Sequence, residues 1–222
     1  MVGPDKVYAL LPVKRLHDSK SRLSNILDTE ERETLTLLML EDVVKTIQAS
    51  ELALRILIVT PDKKVIRFAK GLCIDSLVSD SSDLNRDLEE ALAWCSKTGA
   101  ESALIVLADL PILSEEDIKR IISPSSQSPN AVIAPSKDGG TNVLFLHPCD
   151  LITPSFGVGS FERHILKLRT IGANVRVYRS VSTALDIDTP EDMRDFLDKN
   201  NNLLHAPKSL TYLEKIRIIK AF

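Results

Sequence analysis

Apolar positions along this chain follow two rhythms, and the rhythm changes every ten to twenty residues. The run VYALL, residues 7 to 11, is continuously apolar and reads as a strand buried on both faces. After a polar loop, LDTEERETLTLLMLEDVVKTIQAS carries Leu37, Leu40, Val44 and Ile47 at helical spacing, with Asp28 and Glu31 in capping-box positions. LRILIVT is a second apolar strand ended by Pro61, and DKKVIRFAKG a short helix closed by Gly71. A weak strand at residues 74 to 78 leads through a Ser/Asp loop to a helix with Leu84, Leu88 and Leu92 on one face, ended by Gly99.

SALIVLADLPIL is the strongest strand signal, and Ser114 and Asp117 cap the helix that follows it. SPSSQSPN is a polar connector. AVIAPSKDGGTNVLFLHP gives two apolar segments about a Gly-Gly turn, a hairpin pattern. FGVGSFERHILKLRTIG starts a helix after two glycines, NVRVYR is a strand, and TALDIDTPEDM sets Asp186 and Asp188 before a Thr189 N-cap and Pro190 at the first helical position. This order predicts a three-layer α/β/α fold with a mostly parallel sheet, whose ligands bind beyond the carboxyl ends of its strands. Residues 1 to 202 form the main domain. Residues 203 to 222 form an amphipathic tail that packs on the body or across a homodimer.

Composition changes this picture little. The 222 residues are 44% hydrophobic and 27% charged, with a formal net charge of −3. That balance gives no general reason to expect a nucleic acid or membrane partner. Three cysteines and four histidines lie scattered, without disulfide or zinc spacing. No run reaches the ~18 apolar residues of a membrane span, and no signal-peptide pattern opens the chain. The expectation is a soluble, cytoplasmic protein.

Charge is informative only locally. Lys14, Arg15, Lys20 and Arg22 crowd a loop without glycine after the first strand, Asp109 ends the strand at residue 107, and Asp186 and Asp188 sit at a helix entrance. Each alone fits a solvated loop or a helix start. Together, two acidic loops facing a cationic one suit a divalent metal held against a polyphosphate, with carboxylates on Mg²⁺ and side-chain cations on the remaining oxygens. A nucleoside triphosphate is the expected ligand. Neither a Walker loop nor GxGxxG is present in the sequence.

The segments LLPVKRLHDSKSRLS, DLNRDLEEAL, VLADLPIL, APSKDGGTNVLFL, SFGVGSFERHI and ALDIDTPEDM occur in the order found in the 2-phospho-L-lactate guanylyltransferases of deazaflavin coenzyme F(420) biosynthesis. The chain resembles that family from about Tyr8 to Phe196. The resemblance implies a GT-A-like nucleotidyltransferase fold and a reaction of GTP with a three-carbon phosphoacid that releases pyrophosphate. It implies metal-binding roles for Asp109, Asp186 and Asp188, with Mg²⁺ or Mn²⁺ as the ion, and triphosphate contacts from Lys14, Lys20 and Arg22. Thr141, Gly157 and Ser160 are similar to the family's acceptor-phosphate pocket, and Asn85 falls near the nucleoside. One departure is Asp83, where the family commonly has glycine. The glycine segment also offers backbone amides at a helix N-terminus, suited to an anion. Arg163 and His164, just beyond it, read as solvated helix-surface residues, and Trp94 and Cys95 as packing.

The acceptor phosphate has a second pKa of about 6 and is mostly a dianion at neutral pH, so it attacks the α-phosphorus without a general base. Rival readings are the same transfer to phosphoenolpyruvate or a phosphoglycerate, a metal-dependent GT-A glycosyltransferase, and a nucleotide-binding module without turnover.

Overall fold

A computed structural model describes residues 6–52, 55–79, 83–123, 128–200 and 207–216. Seven strands form one sheet: β1 (Val7–Pro12), β2 (Arg55–Thr60), β3 (Asp75–Val78), β4 (Ser102–Val106), β5 (Asn130–Pro135), β6 (Thr141–His147) and β7 (Asn174–Val177). Their spatial order is β3-β2-β1-β4-β6-β5-β7. β6 runs antiparallel to both its neighbours, and every other pairing is parallel. All six residues of β1 and all five of β4 are buried, as their unbroken apolar runs require for strands covered on both faces.

Helices cover the two faces. On one lie α1 (Thr29–Ala49), α2 (Lys63–Gly71) and α4 (Glu115–Ile122), which pack Leu40, Val44, Ile47, Val65 and Ile118 against Val7, Ala9 and Leu11 of β1. On the other lie α3 (Leu84–Lys97) and α5 (Ser160–Thr170), whose Leu88, Leu92, Ile165 and Leu168 meet Tyr8 and Leu10. The alternation along β1 thus feeds two separate cores. Leu37 and Leu84, expected on the inner faces of α1 and α3, are only partly buried.

Helix ends follow the local chemistry. Asp28 accepts from the Glu31 amide, and the Glu31 carboxylate accepts from the Asp28 amide, each at 2.9 Å. Ser114 and Asp117 form the same box at α4. Thr189 and Asp192 do so at α7 (Pro190–Asn200), where Asp192 N donates to Thr189 Oγ1 at 3.2 Å and Thr189 N to Asp192 Oδ2 at 2.8 Å. Gly99 ends α3 with φ +91°. Gly71 is instead the last helical residue of α2, and the left-handed turn expected there falls on Cys73, φ +57°. Cys95 is fully buried and Trp94 packs on Tyr8 with ring centroids 6.1 Å apart.

A third core joins the two ends of the chain. Leu23, Leu35 and Met39 pack with Leu185, Ile187, Met193 and Phe196, and with Leu210 and Leu213 of α8 (Lys208–Lys215). Asp42 of α1 caps α8, accepting from Lys208 N at 2.8 Å and Ser209 N at 3.0 Å. The apolar face of this tail helix is therefore spent on its own body.

Candidate active site

Three loops meet beyond the carboxyl ends of β1 and β4 and beside the β5–β6 hairpin, around a cleft of about 510 Å³. The cationic loop is shaped by two single-turn helices, Leu16–Asp18 and Ser21–Leu23. Leu16 is buried in the first core and Leu23 in the third. With those leucines inward, Lys14, Lys20 and Arg22 line the cleft. Lys20 holds left-handed backbone angles, φ +50° and ψ +36°, a conformation that costs a non-glycine residue on the order of 1 kcal/mol.

The acidic loops owe their aim to alternation. In Leu185-Asp186-Ile187-Asp188 the two apolar residues enter the third core, so both carboxylates face the cleft. Ile187 N donates to Asp109 O at 3.2 Å and ties this loop to the end of β4. Lys20 Nζ lies between the carboxylates, 2.6 Å from Asp109 Oδ2 and 2.8 Å from Asp188 Oδ1, with its side chain only 6% exposed. Burial pushes the Lys20 pKa down, but Asp109 and Asp188 outweigh it and hold the ammonium charged. Burial likewise pushes Asp188 up, and Lys20 reverses that, leaving it below the usual carboxylate range.

Asp186 has no such partner among the described residues. Burial, and then the charge of Asp109, push it up to about 6, opposed by Asn142 Nδ2 at 3.3 Å. Asp109 Oδ1 is buried and has no hydrogen-bond partner among the described residues. An orphaned acceptor beside an uncompensated carboxylate is a donor set that a hard divalent cation would satisfy. Among the described residues no three metal-ligating side chains converge into a closed cage. Mg²⁺ characteristically takes one or two protein carboxylates and completes its shell with phosphate and water.

Hydroxyls line the other end of the cleft. Thr141 opens β6 and Ser160 opens α5; Thr141 is 2% exposed, yet both border the cleft, beside Gly140 and Gly157. Gly157 and Gly159 take φ +113° and +67°, which an L side chain rarely adopts. Two first-turn amides of α5 are already engaged, Ser160 N with Gly157 O at 3.0 Å and Phe161 N with Gly139 O at 3.3 Å. The helix terminus is thus less open to an anion than the sequence implies, and the hydroxyls are the groups on offer.

Comparison with known proteins gives the family. The family described as "Guanylyl transferase CofC like" matches residues 7–222. The chain belongs to it. Among curated relatives, a phosphoenolpyruvate guanylyltransferase of Thermobaculum terrenum is 36% identical over 85% of this chain and 82% of its own. A 2-phospho-L-lactate guanylyltransferase of Methanobrevibacter smithii is 32% identical over 96% of this chain and 92% of its own. Among solved structures, a candidate nucleotide-diphospho-sugar transferase of Desulfovibrio desulfuricans superposes with TM-score 0.80 at 17% identity, over 96% and 95% of the two chains. A nucleotidyl transferase of Methanothermobacter superposes with TM-score 0.64 at 17% identity, over 88% and 97%. The α/β nucleotidyltransferase fold and membership of an enzyme family stand on these likenesses.

Within this family member, Lys14, Lys20, Arg22, Asp109, Thr141, Gly157, Ser160, Asp186 and Asp188 all line one cleft. Asn85 has a different task from the one expected. Its amide holds the Phe156 peptide at both ends, Phe156 N donating to Oδ1 at 2.5 Å and Nδ2 donating to Phe156 O at 3.2 Å. It fixes the glycine loop rather than facing a nucleoside. Asp83 adopts φ −105°, open to any residue, and caps α3 through Asn85 N at 2.8 Å. His164, read from sequence as a solvated helix residue, is 0% exposed. Its position four residues after Ser160, on the face that carries Ile165 and Leu168 into the core, is the signal that could have found it.

Proposed function

We propose that the chain transfers GMP from GTP to the phosphate of 2-phospho-L-lactate, with release of pyrophosphate, in deazaflavin coenzyme biosynthesis. The observation that most supports this reading is the polarity of the cleft, with cations and carboxylates at one end and paired hydroxyls at the other. Lys14 and Arg22, both exposed on the loop, are suited to the triphosphate. Lys20 holds Asp109 and Asp188 apart and in register until nucleotide arrives. Thr141, Gly157 and Ser160 receive the acceptor. A divalent cation, Mg²⁺ or Mn²⁺, would be held by Asp186 and the unpartnered Oδ1 of Asp109, with Asp188 paired to Lys20 beside them, and would supply charge neutralisation for the reacting phosphates.

An oxygen of the acceptor dianion forms the new bond to the α-phosphorus as the α–β bridge breaks and the electron pair leaves on pyrophosphate. No side chain need remove a proton, so the work of the cleft is to align two anions in line and stabilise departing charge. Phosphoenolpyruvate is the second reading, favoured by the 36% identical relative named for that substrate. The proposal places the protein in the cytoplasm.

The test is pyrophosphate release with Mg²⁺ and GTP, run in parallel with 2-phospho-L-lactate, phosphoenolpyruvate, 3-phosphoglycerate and no acceptor. Release that depends on 2-phospho-L-lactate is expected. Dependence on phosphoenolpyruvate selects the second reading, and no acceptor-dependent release overturns both.

A further inference from the structure

Among the described residues His164 is the one fully enclosed histidine, and the reaction as described makes no use of it. Its two ring nitrogens are both occupied. Nε2 lies 2.9 Å from the backbone N–H of Ser155, which can only donate, so Nε2 must carry its lone pair there. Nδ1 lies 3.0 Å from Thr141 Oγ1. In a neutral imidazole the single proton is then on Nδ1, and Thr141 must accept it.

The Ser155 peptide has no room to turn and relieve this constraint. Three consecutive grips from α5 hold it: His164 at its N–H, Arg163 Nη2 at its carbonyl at 2.8 Å, and Lys167 at its hydroxyl. The next residue, Phe156, is fixed by Asn85 and packs edge-on against the imidazole with centroids 5.1 Å apart. Burial, and then the charges of Lys167 and Arg163, push the His164 pKa down to about 4. The same polarity follows from geometry alone.

The consequence falls on Thr141. Its oxygen accepts from His164 Nδ1 and, at 3.3 Å, from Ser160 Oγ. A hydroxyl that accepts from its protein neighbours has its own proton left to donate, and Thr141 borders the cleft. We propose that His164 is a positioning residue for the acceptor: held as the neutral Nδ1–H tautomer, it makes the Thr141 hydroxyl a donor aimed at an anionic oxygen of the phosphoacid. Ser160 can redirect its own proton to the same anion, because Thr141 keeps the bond from His164. This role rests on the phosphoacid reading of the cleft.

Three single variants and one double variant test it against both substrates. His164→Gln can still accept from Ser155 but offers no donor at the Nδ1 position, while His164→Asn restores an N–H there. His164→Gln is expected to raise the KM for the phosphoacid about tenfold or more, as for a lost hydrogen bond to a charged group, and to leave the KM for GTP unchanged. His164→Asn should recover most of that loss. Thr141→Val should match His164→Gln, and the double variant should be no worse than Thr141→Val alone. Equal effects on both substrates, or additive ones, overturn the proposal. If His164→Gln does not fold, the tautomer decides: a ¹⁵N spectrum of the parent at neutral pH showing the proton on Nε2 overturns it. Titration of each phosphoacid without GTP separates the two readings. Histidine-dependent binding without turnover would sink guanylyl transfer and leave this role standing, whereas binding of neither phosphoacid would overturn both.

Discussion

A lysine ammonium buried between two carboxylates is stable only as a set, since removing one partner of a buried pair leaves charge uncompensated. Lys20→Met should therefore destabilise the protein by about 3 kcal/mol or more, read as a lowered urea midpoint; an unchanged midpoint would mean the carboxylates do not depend on it. Asp186 makes the opposite case. Its folded pKa, about 6, lies above its ordinary 3.8, so ionisation weakens the metal-free fold at pH 7, and the penalty fades as pH falls below about 6. Asp186→Asn should raise metal-free stability by about 1–2 kcal/mol at pH 7 and lower the transfer rate by about 10²- to 10³-fold. Equal melting temperatures of parent and variant at pH 7 would contradict the first half. That these residues gather was legible, because their loops lie where a mostly parallel sheet binds its ligands, beyond the carboxyl ends of its strands. That Lys20 faces Asp109 and Asp188 was not, since the ion pair closes across 89 and 168 residues.

At the scale of elements, Asp117 gathers one end of the fold. It caps α4 through Ser114, and accepts from Tyr178 at the end of β7 at 2.7 Å and from Ser182 in α6 (Val181–Ala184) at 2.5 Å. Burial would raise its pKa, but the bonds from Ser114, Ser182 and Tyr178 outweigh burial and hold it below 3.8. Its contribution is complete above about pH 4 and is lost as pH falls through the folded value. Asp117→Asn should cost about 2 kcal/mol at pH 7, with the gap to the parent narrowing below about pH 4 in a series of urea melts. A gap that does not change with pH would point to lost packing instead. The helix caps at Asp28, Ser114 and Thr189 were readable because caps are local chemistry, although the reciprocal bond between Asp192 and Thr189 was not foreseen. The turn at Cys73 was not, since the sequence offers Gly71 two residues earlier and tertiary packing chose the later position. Asn85 escaped for a related reason: it contacts the Phe156 peptide 71 residues away, which no local pattern encodes, whereas the burial of His164 could be read from the helix face it shares with Ile165 and Leu168.

The molecule as a whole is closed by its tail. Asp42→Ala removes the carboxylate that caps α8 and should lower stability by about 1–2 kcal/mol, with protease cleavage near residue 207 increasing as α8 lifts from α1. Unchanged cleavage would mean the apolar contacts of Leu210 and Leu213 suffice. The expectation of a three-layer sheet fold follows from the alternation of strand and helix rhythms and is met. The antiparallel placement of β6 follows from the Gly-Gly turn, whereas its insertion between β4 and β5 does not, since strand order depends on long-range pairing.

The two ends of the cleft draw on different cores. Leu23, Leu185 and Ile187 anchor the charged end in the third cluster, whereas Phe156 and Ile165 anchor the hydroxyl end in the layer under α3 and α5. Changes that reshape one pocket need not propagate to the other. Preference for one small organic phosphate over another can then drift through a few substitutions near Ser155 to Gly159 while the transfer chemistry is inherited intact, an evolvability built into the packing.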